Sequence, residues 1–367
     1  MIPRKEVDNV RLRRRMPGSI VGMAVIAVSM LMALHRPMRG EEVEALRDPR
    51  ERHLRNVRQL TFGGQNAEAY VSSDGRRLTF QSTRDPFKCD QIFTMNTDGS
   101  DVKLISTGEG RTTCSFFFPD RPRLIYSSTH LAGSACPPKP DHSRGYVWPI
   151  YAGYDIFSVN LDGSGLTRLT ETPGYDAEGT ISPDGRRVVF TSMRDGDLEL
   201  YTMAADGTDV RRLTYARGYD GGAFFSHDGT KIVYRAYHPA TEAEIREYEA
   251  LLKQGQTRPS RMELFLMDAD GSNQRQITDN GAANFAPFMH PNGRQIIFSS
   301  NLHDPSRRTF ALHLIDLDGS GLEQLTYGDS FASFPMFSPD GTKLVFASHR
   351  NRKVPGEMNI FIANWVP

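Results

Sequence analysis

Three cysteines in 367 residues cannot make a disulfide-dense miniprotein. No charge of one sign dominates, because 44 Lys and Arg balance 44 Asp and Glu. That balance gives no electrostatic case for nucleic acid. Long apolar runs are missing after residue 40, which excludes a polytopic membrane protein. Disorder is excluded as well, since 38% of residues are apolar and the net charge is zero. Catalytic signatures are also missing. The chain has no Gly-x-Ser-x-Gly elbow and no His-Glu-x-x-His zinc pair, and its ten histidines are scattered. The sequence therefore reads as non-enzymatic, with no cofactor and no metal.

What is present begins with the first forty residues. Arg4, Lys5, Arg11, Arg13, Arg14 and Arg15 precede an uncharged run over 16–34. A basic segment followed by an apolar stretch is a secretory signal or a single membrane anchor. Small residues suited to cleavage are poorly placed around Met32, Ala33 and Leu34, which favours an uncleaved anchor. The basic cluster places the N-terminus inside and the rest of the chain outside. The zero net charge is thus a cancellation. Residues 1–40 hold eight basic and two acidic groups, leaving 36 basic and 42 acidic downstream.

The remainder is one repeat, counted six times. Its first motif is Ser-Pro-Asp-Gly, then any two residues, two apolar residues and an aromatic. It is clearest at Ser182-Pro183-Asp184-Gly185 and Ser338-Pro339-Asp340-Gly341, with variants centred on Asp74, Asp228 and Asn292 and a degenerate copy at Asp120. A second motif, Asp-Gly-Ser or Asp-Gly-Thr, recurs from Asp98, Asp162, Asp206, Asp270 and Asp318. Asp-Gly between short β-rich runs signals a hairpin. Each repeat then holds four antiparallel strands, A to D, which makes a propeller blade. The calcium-loop alternative lacks the required ligand spacing. The last repeat ends after strand C at Asn359 to Ala363, while Val57 to Thr61 reads as a strand D with nothing before it. The N-terminal strand is therefore expected to complete blade 6 and to leave no open edge. The fold class is all-β: a six-bladed β-propeller of four-stranded blades plus one N-terminal transmembrane or signal helix. The division is 1–40 anchor, 41–56 linker and 57–367 propeller.

These Pro-Asp-Gly repeats resemble the TolB-like six-bladed β-propeller with WD40-like repeats, over about residues 57–366. The resemblance implies a propeller of the bacterial envelope with protein partners, as in the Tol system. The sequence departs from the family before the propeller, where residues 41–56 are too few for the α/β domain of TolB proteins.

Long spacings place insertions at 131–154 and 239–261, both in B–C loops and so on one face of the disc. The first contains Trp148. The second contains a helical stretch with a Thr241/Glu244 capping box and an apolar stripe of Ile245, Tyr248, Leu251 and Leu252, which packs on its own propeller or docks a partner. Aligning the A strands by the turn residue gives two rings. One is Asn66, Thr112, Asp176, Asp220, Asn284 and Ala332; the other, two residues on, is Glu68, Cys114, Glu178, Gly222, Ala286 and Phe334. Strand alternation would put both on one face. Ten residues after the turn come Arg84, His130, Arg194, His238, Leu302 and Arg350. The decorated face is then expected to show carboxylates (Glu68, Asp176, Glu178, Asp220) inside a cationic collar. Asp176, Glu178 and Asp220 either bind a cation or a ligand amine, or the polar rings line a water-filled channel and tie blades together. An exported location permits a Cys89–Cys136 disulfide that would staple the first insertion to blade 1, with free thiols as the alternative.

Two functions follow. The first is a membrane-anchored interaction or scaffold subunit of a cell-envelope or integral-membrane complex, on the periplasmic side, with protein partners. The second is a soluble periplasmic propeller, after signal cleavage, that binds a peptide, glycan or small molecule in its funnel.

Overall fold

In a Ser-Pro-Asp-Gly turn the local chemistry is self-sufficient. Ser182 Oγ donates to Asp184 Oδ1 at 2.6 Å and accepts from the Arg187 N–H at 2.9 Å. The Gly185 N–H donates to the Ser182 carbonyl, and Gly185 takes a φ of 73° that L side chains rarely adopt. At the second motif the Asp carboxylate accepts from the Ser or Thr two residues on, as at Asp162 and Ser164. These hydrogen bonds hold the Asp98, Asp162, Asp206, Asp270 and Asp318 carboxyls below their ordinary range. The turn aspartates are thus engaged by their own loops, as the turn reading requires.

A computed structural model describes residues 46–367 except 144 and 329. Those residues form six four-stranded antiparallel sheets, one per repeat. Blade 3 is typical: A is Asp176–Ile181, B is Arg187–Ser192, C is Glu199–Ala204 and D is Arg211–Arg212. Blade 6 takes its A, B and C strands from Ala332–Phe337, Lys343–Ser348 and Asn359–Trp365, and its outer strand is Leu54–Gln59. The ring is therefore closed by the N-terminal strand. The equivalence extends to single atoms. In each blade a Ser or Thr after strand D accepts the N–H of the second residue of strand C: Ser106, Thr170, Thr214, Thr278, Thr326 and, in blade 6, Thr61.

The closing strand starts at Leu54, three residues before the expected Val57, and pairs from Leu54 opposite Trp365. Part of the stretch read as linker also belongs to the fold. Glu51 is fully buried and bonds both Arg350 guanidinium nitrogens, at 2.8 and 3.1 Å. The apolar run 16–34 lies outside the described residues. Among the described residues no helix is long and apolar enough to cross a membrane.

Every A strand carries a β-bulge five and six residues before its turn residue, seen as a register shift such as that between Ala177 and Thr180. The bulge residues are the second ring, and all six have positive φ: Glu68, Cys114, Glu178, Gly222, Ala286 and Phe334. Two residues further along the strands, Tyr70, Phe116, Phe224 and Phe288 meet at the axis with ring centroids 5.4 to 6.1 Å apart. This aromatic plug divides the axial space into two parts. Its rings join the largest apolar cluster.

Candidate functional site: a roofed cavity at the axis

The bulges decide what faces the axis. A bulge interrupts the two-residue alternation and re-aims the side chain that carries it. The second ring therefore lines a central cavity of about 620 Å³, with Phe224 of the plug at its base. The first ring does not line it. Asp176 and Asp220 are buried, Asp176 accepting from Arg194 at 3.0 Å and Asp220 meeting His238 Nε2 at 3.0 Å. In the repeated Gly-Tyr-Asp segments the tyrosines, Tyr175 and Tyr219, face the cavity instead. The expected cluster of Asp176, Glu178 and Asp220 is thus split, with only Glu178 at the cavity. Among the described residues no group of three or more His, Cys, Asp and Glu side chains could hold a metal ion.

The cationic collar is likewise engaged within the blades. Arg84 reaches Asn66 at 2.6 Å and lies 5.0 Å from the Phe93 ring centroid. Arg194 lies 4.9 Å over Tyr201, and Arg350 lies 4.9 Å over Phe346. His130 accompanies Ser128 and packs on Phe157, and His238 packs on Phe265. Each of these side chains ties strands B and C of its blade, and the Asp or Asn that begins strand A where there is one. Ring contacts hold all five, and ion pairs add to them at Arg194, His238 and Arg350.

The two insertions meet. Trp148–Pro149 of the first pairs as a short strand with Gln256–Thr257 of the second, and the Ile150 N–H donates to the Gly255 carbonyl at 2.6 Å. Cys89 and Cys136 form a disulfide with Cα atoms 5.9 Å apart, tying the first insertion to blade 1. The helix Glu242–Leu252 of the second insertion has the expected capping box. Its Tyr248 is buried, and the hydroxyl bonds Asp197 and the Gly218 carbonyl. The apolar stripe therefore packs on its own propeller, and Tyr248 is not a partner-facing residue. Ile150, Tyr154, Tyr175, Tyr219 and Tyr248 form one cluster with Trp148 packed against it. The 131–154 insertion is thus a fixed roof.

Under this roof Glu178 is heavily solvated by protein. It accepts from the Tyr219 hydroxyl at 2.8 Å, the Gly222 N–H at 2.9 Å, Thr191 at 2.8 Å and Arg235 at 2.5 Å. Arg235 is buried, with its guanidinium 5.1 Å from the Trp148 ring and 5.5 Å from Tyr219. Burial alone would lower the Arg235 pKa, but the adjacent Glu178 charge raises it above the ordinary value. Sequence reasoning missed Arg235, although a signal existed. Seven residues after the turn residue the other blades carry Gln81, Ser127, Thr191, Ser299 and Ala347, and only blade 4 carries a charge.

Glu68 and Cys114 complete the wall. Burial pushes the Glu68 carboxyl up to about 7, with the Cys114 thiol hydrogen bond opposing the shift. Cys114 is the free cysteine, and burial raises its thiol well above the ordinary range. Arg111 lines the cavity while paired to Asp90 at 2.7 Å.

Residues 139–257 match the family model described as TolB beta propeller domain. A 39-residue stretch is 46% identical to the Tol-Pal system protein TolB of Bordetella pertussis, covering 11% of this chain and 9% of that relative. A protein assigned as TolB from Agrobacterium tumefaciens superposes with a TM-score of 0.55 at 18% identity, over 85% of this chain and 97% of that one. TolB from Acinetobacter baumannii gives 0.53 at 18% identity, over 83% and 64%. Likeness at that identity speaks for the fold, and the matched stretch is a small part of the curated relative. Repeat chemistry and ring closure make the chain a six-bladed β-propeller, similar over residues 139–257 to the TolB beta propeller domain.

Proposed function

We propose that the protein is a non-enzymatic interaction propeller of the bacterial envelope, held at the outer side of the cytoplasmic membrane by the 16–34 run, which docks a protein partner through its decorated face. The observation that carries this reading is the placement of exposed apolar side chains. Phe62, Leu131, Tyr146, Tyr215 and Val354 are each more than half exposed, and all five sit in B–C or D–A loops. Leu131 and Tyr146 belong to the roof, the other three to neighbouring loops, and exposed apolar anchors suit recognition of a protein surface. The mildly acidic propeller favours a neutral or basic partner. The TolB relationship supports an envelope setting, and the Tol system is one candidate assembly.

Photocrosslinking from native membranes tests the proposal. A crosslinking residue at Tyr146 or Val354 should capture the same partner, and one at Asp98 on the opposite face should not. Capture from Asp98 alone would overturn it. N-terminal sequencing of the mature protein tests the anchor, since a start after Leu34 would remove it. A second reading, ligand binding at the axis, is favoured by the roofed cavity itself, whose volume falls in the range of small-molecule sites.

A further inference from the structure

We propose that the roofed cavity binds a small organic ammonium ion, whose charge pairs with Glu68 beneath the aromatic roof. The inference rests on the second reading above and names its ligand class.

Among the described residues that line the cavity, the charges enter two ion pairs, and Glu68 and Lys139 are left over. Glu178 is taken by Arg235 and Arg111 by Asp90. Lys139 is exposed in the roof and lines the cavity from there. Glu68 has no ion-pair partner among the described residues, and its Oε2 is buried without a hydrogen bond. A buried carboxylate oxygen without a partner is costly, and a ligand cation would relieve that cost. Around it the walls are aromatic: Tyr154, Tyr175, Tyr219, Phe285 and Phe334, with Trp148 above. Aromatic faces beside a carboxylate are the surroundings in which organic ammonium groups bind well, because each ring face carries negative potential. The ring that places Glu68 here is a bulge at φ 49°, a conformation non-glycine residues rarely adopt. The blade therefore holds this carboxyl at the axis at some cost in backbone energy.

Binding also has a linked proton. Ammonium binding requires the ionised carboxylate, and burial holds the Glu68 carboxyl at about 7. The groups facing it are Glu178, Arg235, Arg111 with Asp90, the Cys114 thiol, and Lys139 and His142 from the roof. Affinity should therefore rise from about pH 6 to about pH 8, as Glu68 ionises.

The test uses the whole protein with benzylamine, which is charged at neutral pH, and benzyl alcohol as its neutral analogue. Calorimetry gives the affinity, and the rate of Cys114 alkylation by iodoacetamide reports occupancy beneath the roof. Benzylamine is expected to bind at least about tenfold more tightly than the alcohol and to slow Cys114 alkylation. Glu68→Gln should abolish that preference without lowering the melting temperature. The wild-type pH profile is a second measure that needs no variant. Equal affinity for amine and alcohol, a preference that survives in Glu68→Gln, or a preference that falls from pH 6 to pH 8 would each overturn the ammonium assignment while leaving a ligand cavity. No saturable binding or Cys114 protection by either probe up to ~10 mM would overturn both the assignment and the ligand reading.

Discussion

At the turn end of the axis, Pro119, Pro183, Pro291 and Pro339 surround an apolar pocket of about 180 Å³. At the loop end, Tyr154, Tyr175, Tyr219, Glu68 and Glu178 wall a cavity of about 620 Å³. The same six A strands build both ends. The turn end is nearly uniform because the A–B hairpins close through variants of one Ser-Pro-Asp-Gly turn. The B–C loops bear no such constraint, so insertions, a disulfide and an inter-blade strand pair have collected there. Diversity at the loop end is therefore where binding specificity would be built, and repetition at the turn end is what holds the ring.

Cutting the ring should erase both ends together. Deleting residues 54–61 removes the outer strand of blade 6 and the Thr61 hydrogen bond, and should abolish the cooperative thermal transition. A melt that stays cooperative would refute closure by this strand. Joining the ends is the next largest change. Phe224 contributes to both pockets, and Phe224→Ala should cost about 3–5 kcal/mol in denaturant unfolding. Releasing only the loop end should cost less. Cys136→Ser cuts the tie between roof and blade 1 and should lose about 2–4 kcal/mol while accelerating Cys114 alkylation. An unchanged alkylation rate would show that the strand pair at Gln256–Thr257 holds the roof alone.

A smaller effect appears only against pH. Burial raises the Glu199 carboxyl, between blades 3 and 4, to about 7, with Arg212, Thr214, Asp220 and His238 around it. A folded-state value above the ordinary 4.5 means that the fold holds this proton more tightly than the unfolded chain. That contribution is complete below about pH 4.5 and is lost as pH rises through about 7. Melting temperatures of wild type and Glu199→Gln at pH 5 and pH 8 should show wild type losing more on the way up. The smallest effect belongs to the turn end. Asp184→Asn keeps the acceptor for Ser182 and Arg186, so stability should shift by less than about 0.5 kcal/mol. Any calcium-dependent stabilisation of wild type would contradict the turn assignment.

Much of the fold was legible because the repeat is written in turn residues. Asp184 with Gly185 marks a hairpin wherever it occurs, and counting six first motifs against five second motifs exposed the closing strand. The site was legible only in part. Glu68, Glu178, Cys114 and Trp148 were picked out and do surround the cavity, whereas Asp176, Asp220, Arg194, His238 and Arg350 were picked out and lie within or between blades. The error has one cause. Strand alternation was extended through positions 66 to 68 and 176 to 178, and the bulge there breaks it. Only Gly222 in that ring hints at a positive φ; Glu68, Cys114, Glu178, Ala286 and Phe334 carry no such mark.

The number of blades, the order of strands, the closure and the face that bears the insertions can all be read from the chain. Each of these depends on contacts between residues near in the chain, or on counting them. Which ring faces the axis, the aromatic plug that divides it, and the pairing of two insertions about a hundred residues apart into one roof emerge only on folding. Those features depend on backbone strain and on contacts between distant segments, and neither leaves a periodic trace in the chain.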